Sequence, residues 1–403
     1  MTRPLILVAS LLPEQGYCGV QTHVRAVSAY ARGMGYDVRL VEPHQVNRWL
    51  RRGPSLAARV LRKIDPEKAV LWHRALAYRY LCARLRSALR EAADRPVVIY
   101  AQDPLSARAA LAMRREGFGF RLLAVLHFNI SEAYEHQLNG FTREGGPLWR
   151  TLMRVEQEIL PRLDKVIFVS EYMRRIVVER NPGLANVAQA VIPNFPEHEV
   201  SAAPQAAPRA DIISIGTLEP RKNQGYLLHV LAEARRQGHR YRLTLAGDGP
   251  SRAEWEALAA QLGIAGQVDF LGYVSSASSL LPGHRVYAHA ARMESFGIVL
   301  LEAMANGLPV FAATVGGIPE VFDDGVEGVA WPLDDAAACA AKLIEVLENA
   351  PTRERMSAAA RQRYRSCFAP EVLGPKWVEA IAADLSAEAA AFLPLPGIEM
   401  RTT

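Results

Sequence analysis

The sequence predicts two doubly wound α/β domains, each a mainly parallel sheet flanked by helices, joined through a short linker. Three observations carry this prediction. Short apolar runs alternate with amphipathic segments along the chain, the rhythm of successive βαβ units. That rhythm breaks across PEHEVSAAPQAAPRAD at 196–211, a Pro/Ala-rich stretch without an apolar period, and then restarts. With 403 residues, half of them apolar, the chain is also too long for one ordinary core.

Taken in order, LILVAS (5–10) reads as a buried first strand. A signal peptide is the competing reading, but Glu14 interrupts the run and no small-residue cleavage site follows. THVRAVSAYARGMG (22–35) reads as a helix and YDVRLVEP (36–43) as a strand. RPVVIYA (95–101), FRLLAVLHF (120–128) and DKVIFVS (164–170) add strands to a first domain placed at 1–195. After the linker at 196–211, ADIISIG, RYRLTLAG, QVDFLG, HRVYAHA and LPVFAA build a second domain at 212–368. A terminal helix follows at 369–392, reading from Pro370 to Phe392, and LPLPGIEMRTT (393–403) is a frayed tail. There is no internal repeat.

Composition narrows the function. Cys18, Cys82, Cys339 and Cys367 are scattered without a C-x-x-C pair, which gives neither a zinc spacing nor a disulfide framework and fits a reducing, cytoplasmic compartment. No stretch approaches the roughly 20 apolar residues that span a bilayer, so any membrane association is expected to be peripheral. The net charge of +5 is uneven: residues 45–95 hold thirteen Lys/Arg against four Asp/Glu. Beside Trp49 and Leu50, that patch suits the inner face of an anionic membrane; a solvated helical face is the plain alternative. No nucleic-acid-binding module accompanies the charge.

The chemistry concentrates in ESFGIVLLEAMANGLPV (294–310). Glu294 ends a loop, Ser295 is placed to cap, and a helix is expected from Gly297 to Ala305 before Asn306-Gly307 stops it. The first N–H groups, from Phe296 to Ile298, then form an anion site, and Gly297 lets a diphosphate approach the backbone. Glu302 lies five residues beyond Gly297, about 7–8 Å along the axis, a separation that suits one nucleotide-sugar. Glu294 would hold hydroxyls of a transferred sugar, and Glu302 both hydroxyls of the ribose. The plain alternative is a capped helix burying Ile298, Leu301 and Met304, with two incidental glutamates. Upstream, Arg221 and Lys222 follow a strand, where two cations could face a diphosphate leaving group and stabilise its growing charge. The alternative there is a basic turn before a helix.

In combination these segments resemble glycosyltransferase family 4, the retaining GT-B enzymes also called glycosyl transferases group 1. GTLEPRKN (216–223), LAGDGP (245–250), the E-x7-E stretch and VGGIPEVFDDGVEG (315–328) stand in the family's order and cover roughly Ile212 to Trp331. YCGVQTHV, LHF, FVSEYM and VIPNF extend the likeness through the first half. The resemblance implies two Rossmann-like domains facing across a cleft, with the donor on the second, the acceptor on the first, and the C-terminal helix crossing back to the first. Gly19 resembles the amino-terminal glycine loop near the donor phosphates, and His127 the histidine beside the donor sugar. Arg221 and Lys222 match the diphosphate cations, with Gly216 in the same loop, and Glu294 and Glu302 match the motif glutamates. Phe296, Gly297 and Ile298 match the backbone donors between them, and Gly272 and Tyr273 the place of the nucleobase.

Three positions depart from the family pattern. Thr217 stands where arginine is common, so Arg221 must supply a second cation; Cys18 replaces a usual glycine; Arg292 and Met293 replace the common Pro-Ser. Other residues carry two readings each. His127 could equally be a core histidine at a strand end; Gly316 and Gly317 form a tight loop beside the donor or merely pack. Asp248 reads better as a turn residue, and Asp103, followed by Pro104, as a helix cap rather than an acceptor contact.

The resemblance therefore implies a hexosyltransferase that uses a nucleoside-diphosphate sugar and a saccharide or lipid-linked saccharide acceptor. It implies no cofactor and no metal, since the chain lacks Asp-x-Asp. Mannose from a guanosine donor and glucose from a uridine donor are both open. The competing classes are a GT-B nucleotide-sugar epimerase and a non-catalytic nucleotide-sugar-binding partner. A nicotinamide dehydrogenase is set aside because no G-x-G-x-x-G fingerprint follows the first strand.

Overall fold

A computed structural model of the chain describes residues 3–14, 16, 18–43, 64–197 and 210–382. Most of the linker at 196–211, residues 45–63 of the basic segment, the end of the terminal helix and the tail lie outside the described residues.

The first sheet is built from β1 (Leu5–Ala9), β2 (Asp37–Val41), β3 (Val97–Ala101), β4 (Arg121–Leu126), β5 (Lys165–Phe168) and β6 (Ala188–Val191). Its order is β2-β1-β3-β4-β5-β6, and every pair is parallel. All residues of β1, β3 and β4 are buried, as expected for parallel strands covered on both faces, which is why they read as continuous apolar runs. The helices between them are α1 (Gly19–Gly33), α2 (Pro66–Ala92), α3 (Pro104–Arg115), α4 (Glu132–Leu138), α5 (Pro147–Ile159) and α6 (Glu171–Arg180). Asp65 and Asp103 cap α2 and α3, each accepting a backbone N–H three residues on, with proline in the first turn of each. Asp103 thus takes the cap role; it also accepts from Leu11 N at 3.1 Å, tying the loop after β1 to the loop after β3.

The second sheet comprises β7 (Ile212–Ile215), β8 (Leu243–Ala246), β9 (Val268–Gly272), β10 (Val286–His289), β11 (Val310–Ala312) and β12 (Gly328–Ala330). Its order is β12-β11-β10-β7-β8-β9, again all parallel. The helices are α7 (Gln224–Arg236), α8 (Arg252–Gln261), α9 (Ile298–Ala305), α10 (Ala336–Glu348) and α11 (Ala350–Arg363), with a π-helical turn at Tyr364–Phe368 before α12 (Pro370–Ala382). Leu227, Leu231, Leu243, Phe311, Leu343 and Trp331 belong to one continuous core. No described helix is long and apolar enough to cross a membrane.

Contacts divide the chain into two compact units that are not contiguous in sequence. The first holds 1–168, 176–192 and 375–403; the second holds 169–175 and 193–374. Residues 169–175 join the second unit through Ser170, whose hydroxyl donates to Ser295 O at 2.8 Å. Glu320 joins them as well, its carboxylate accepting from Glu171 N and Tyr172 N at the start of α6. The chain re-enters the first unit within α12, at Pro375, and Trp377 packs there edge-on against His23 (4.6 Å between centroids) and near Tyr100 (6.2 Å).

Each sheet starts at an interior strand and grows first to one side, then to the other. The strand order therefore reverses between β1 and β3 in one unit and between β7 and β10 in the other. In open α/β sheets the loops leaving the carboxyl ends of such neighbouring strands form the binding crevice. That rule points to four loops: 10–18 and 102–103 in the first unit, 216–223 and 290–297 in the second.

Candidate functional site

In the second unit, the loop after β7 closes on itself. Glu219 O accepts from both Lys222 N (3.0 Å) and Asn223 N (3.2 Å), and Asn223 adopts a left-handed conformation before α7 begins. This turn presents Arg221 and Lys222 toward the neighbouring loop after β10. Arg221 O accepts from Arg292 N at 2.9 Å, and the Arg221 guanidinium bridges Glu219 (2.8 Å) and Met293 O (3.4 Å). Lys222 Nζ forms an ion pair with Glu294 Oε2, both side chains being largely buried. The two loops that the strand order made neighbours thus join residues 72 apart in sequence.

The backbone of Glu294 is fixed from a third direction. Its carbonyl accepts from Gly317 N at 3.0 Å. Gly316 has φ 59°, and a Cβ there would come 1.9 Å from Glu294 O. Only glycine fits, so the Gly-Gly pair packs directly against the backbone of the predicted sugar-binding glutamate.

The helix after Glu294 differs from expectation. Ser295 does not cap it: α9 starts at Ile298, and Gly297 is the N-cap in a left-handed conformation (φ 93°, ψ 65°). The left-handed turn leaves Ser295 two residues ahead of the cap, where its carbonyl serves Ser170 instead. Gly297 is therefore needed for its own conformation. Phe296 is buried against Phe368, with ring centroids 5.9 Å apart, and anchors the turn. Leu301 and Met304 are fully buried and Ile298 partly so, as the core-packing reading of α9 expects.

Electrostatics separate the two glutamates. Burial opposes ionisation of Glu294, but Lys222, the His289 ring and Arg221 outweigh it and hold the carboxyl far below its ordinary range. Burial pushes Glu302 up to about 7, with Glu197 adding to the rise. Tyr287, wholly buried on β10, is raised first by burial and then by the charges of Glu302 and Glu294, so both carboxylates act on one ring. Arg221 and Lys222 are each engaged by a carboxylate, Glu219 and Glu294 respectively.

The remaining predicted positions in this unit lie at the carboxyl ends of β7 and β9. Gly216 follows β7 and donates to Ala246 O at 3.0 Å. Gly272 ends β9, its carbonyl accepting from Gly247 N at 2.9 Å, and Tyr273 beside it is 48% exposed. Asp248 accepts from Gly249 N at 2.9 Å and is a turn residue, as expected.

In the first unit, Gly19 opens α1 behind the cap residue Cys18, whose N–H donates to Gln21 Oε1 at 3.2 Å. The Gln21 amide donates in turn to Pro13 O at 2.8 Å, folding the glycine loop back on the helix. His127 follows β4, with Nε2 3.2 Å from Gln102 Oε1 in the loop after β3. Burial pulls the His127 ring down to about 3, so it is neutral at physiological pH. Behind it lies His23, 4.8 Å away between centroids, itself 2.6 Å from the Tyr100 hydroxyl. His127 is thus held by polar and aromatic partners, an arrangement open to either of its two readings.

Sequence reasoning missed Glu219, Tyr287, His289 and Ser170. Tyr287 and His289 were hidden in HRVYAHA, where a buried strand looks apolar throughout. The available signal was their period of two, which places both polar tips on one face.

Residues 17–199 match the family Glycosyltransferase Family 4 and residues 199–363 match Glycosyl transferases group 1. The chain is 29% identical over 292 residues to a glycogen synthase of Mycobacterium tuberculosis, covering 71% of this chain and 68% of that protein. Over 154 residues it is 38% identical to a phosphatidyl-myo-inositol mannosyltransferase of the same organism, covering 36% of this chain and 40% of the other. Among solved structures, the Anabaena protein HepE, crystallised with UDP and glucose, superposes with a TM-score of 0.66 at 18% identity. That superposition covers 96% of this chain and 100% of HepE, and at such identity it speaks for the fold.

Proposed function

Because this chain belongs to glycosyltransferase family 4, the glycosyl transferases group 1 with the GT-B fold, we propose that it moves a hexose from a nucleoside-diphosphate sugar to an acceptor hydroxyl, with retention at the anomeric carbon. The observation that carries the reading is the Lys222–Glu294 pair beside Arg221 at the reversal of strand order.

In this reading the donor's diphosphate draws Lys222 and Arg221 from their carboxylates and meets the N–H groups of Phe296, Gly297 and Ile298 at the start of α9. Glu294, released from Lys222, accepts hydroxyls of the sugar, while Glu302 accepts both ribose hydroxyls once ionised. The bond from the anomeric carbon to the diphosphate oxygen breaks, and the bond to the acceptor oxygen forms on the same face. The acceptor's proton passes to the departing phosphate oxygen, so no protein nucleophile is required. Arg221 and Lys222 offset the charge that grows on the leaving group, which lowers the barrier rather than only the ground state. They fill the role that a divalent metal would otherwise serve.

The acceptor is a saccharide or lipid-linked saccharide of cell-surface polysaccharide or glycolipid synthesis. The mannosyltransferase relative, whose name describes transfer to phosphatidyl-myo-inositol, supports a lipid-linked acceptor. So does α2, whose exposed residues include Lys68, Trp72, Arg79 and Arg90. Salt-sensitive flotation with anionic, but not neutral, vesicles is the expected result for a peripheral enzyme; equal behaviour with both would remove membrane contact from the proposal.

The donor is tested with UDP-glucose and GDP-mannose in a thermal-shift series, read against Glu302→Ala. One of them is expected to raise the unfolding temperature of the native protein and not of the variant. Product analysis with a trapped acceptor then separates transfer, which releases the nucleoside diphosphate, from epimerisation, which returns a nucleotide-sugar.

A further inference from the structure

His289 is 3% exposed at the carboxyl end of β10, and nothing in the donor reading uses it. Its ring stacks on Tyr287, at 6.2 Å and an interplanar angle of 23°, and its carbonyl accepts from the Trp331 indole at 3.3 Å. The residue is therefore gripped at both ring and backbone. Its Nε2 stands 3.3 Å from Glu294 Oε2, the same oxygen that Lys222 holds. Burial keeps the imidazole neutral, and an ionised carboxylate only accepts, so the ring proton is assigned to the nitrogen facing Glu294. At 3.3 Å the contact is long and weaker than the Lys222 ion pair on the same oxygen. Lys222 occupies the oxygen first.

We propose that His289 is a positioning residue for the transferred sugar: when the donor's diphosphate draws Lys222 away, the His289 N–H closes on Glu294 Oε2 and keeps that carboxylate aimed at the sugar hydroxyls. The proposal rests on the donor reading above and adds to it a selective demand. A ligand that carries the sugar needs His289, and the bare nucleoside diphosphate does not. A merely structural histidine would affect both alike.

The test compares UDP with UDP-glucose, and GDP with GDP-mannose, on the full-length protein. His289→Leu is expected to weaken sugar-donor binding and lower kcat/KM by 10- to 100-fold, while the affinity for the matching nucleoside diphosphate stays within twofold. His289→Gln, which sets an amide N–H near the position of Nε2, is expected to recover most of the loss. The shorter His289→Asn is expected not to, and this pair carries the comparison should His289→Leu fail to fold. Equal losses for sugar donor and nucleoside diphosphate, no loss for either, or identical behaviour of Gln and Asn would overturn the proposal. A wild-type protein that binds none of the four ligands would instead remove the donor reading beneath it.

Discussion

Replacing Lys222 by methionine is expected to lower kcat/KM by two to three orders of magnitude and to destabilise the protein by about 3 kcal/mol, with Glu294→Gln added on top restoring the stability but not the activity. The reason lies in burial. Glu294 is 8% exposed and stays ionised largely because Lys222 sits beside it. Removing the cation alone strands a carboxylate in a site that solvates it poorly, and a buried pair broken on one side costs far more than one removed on both. The glutamine keeps shape and hydrogen bonding without charge, so the double variant has nothing left to strand. It also has neither a cation for the diphosphate nor a carboxylate for the sugar, and activity should stay at the level of the lower single variant. Urea unfolding of the four proteins measures the first claim and initial rates with the donor the second. Losses of stability that simply add would mean that the two side chains are not coupled, and the site would lose its central pair.

The second large effect is on stability against pH. Glu156 on α5 is 2% exposed, and its Oε1 accepts from Glu132 N at 2.8 Å, while Glu132 itself is held by Arg74. Burial pushes the Glu156 carboxyl up to about 8, the Glu132 charge adding to the rise while that backbone bond, Arg180 and Arg74 oppose it. A group whose folded pKa exceeds its unfolded value of 4.5 contributes stability that is complete below 4.5. That stability is lost as pH climbs toward 8, at up to roughly 1.4 kcal/mol per pH unit. Other groups share the pH scale. His127 has the opposite sign: its ring is held at about 3 against 6.5 unfolded, so it adds stability as pH rises, but no further once pH passes 6.5. Glu302 has the same sign as Glu156 and is spent by about 7. Between pH 7 and 8, then, Glu156 dominates among these three groups. Glu156→Gln keeps the acceptor for Glu132 N and cannot ionise. The variant is expected to match the wild type near pH 5 and to exceed it by a few kcal/mol at pH 8.5 in urea unfolding. Parallel curves across that range would show that Glu156 is already ionised in the folded protein.

These two effects differ in how far they could be read from the chain. The Lys222–Glu294 partnership was half legible: both residues stood in segments whose residue types suit a diphosphate and a sugar, but 72 positions separate them. Glu156 was not legible at all. In VEQEI it is one of two glutamates on an amphipathic helix, and its neighbour Glu158 is exposed. Which of the two faces the interior depends on the packing of α5 against α4, and helical periodicity cannot rank them without that contact. The cap of α9 failed for a similar reason: Ser295 is a good cap by type, yet its carbonyl is taken by Ser170 and Gly297 becomes the cap in a left-handed conformation.

The chain by itself determined the rhythm of strands and helices, the placement of glycines and caps, and the residue types gathered in GTLEPRKN and ESFGIVLLE, because periodicity, turn chemistry and capping are local properties. Only the tertiary structure decided that β7 lies beside β10. Strand order follows from how helices cover both faces of a sheet, and that is settled by packing between distant segments. Adjacency of those two strands brings Arg221, Lys222 and Glu294 together. It also turns His289, unremarkable in sequence, toward the carboxylate on which the proposed chemistry depends.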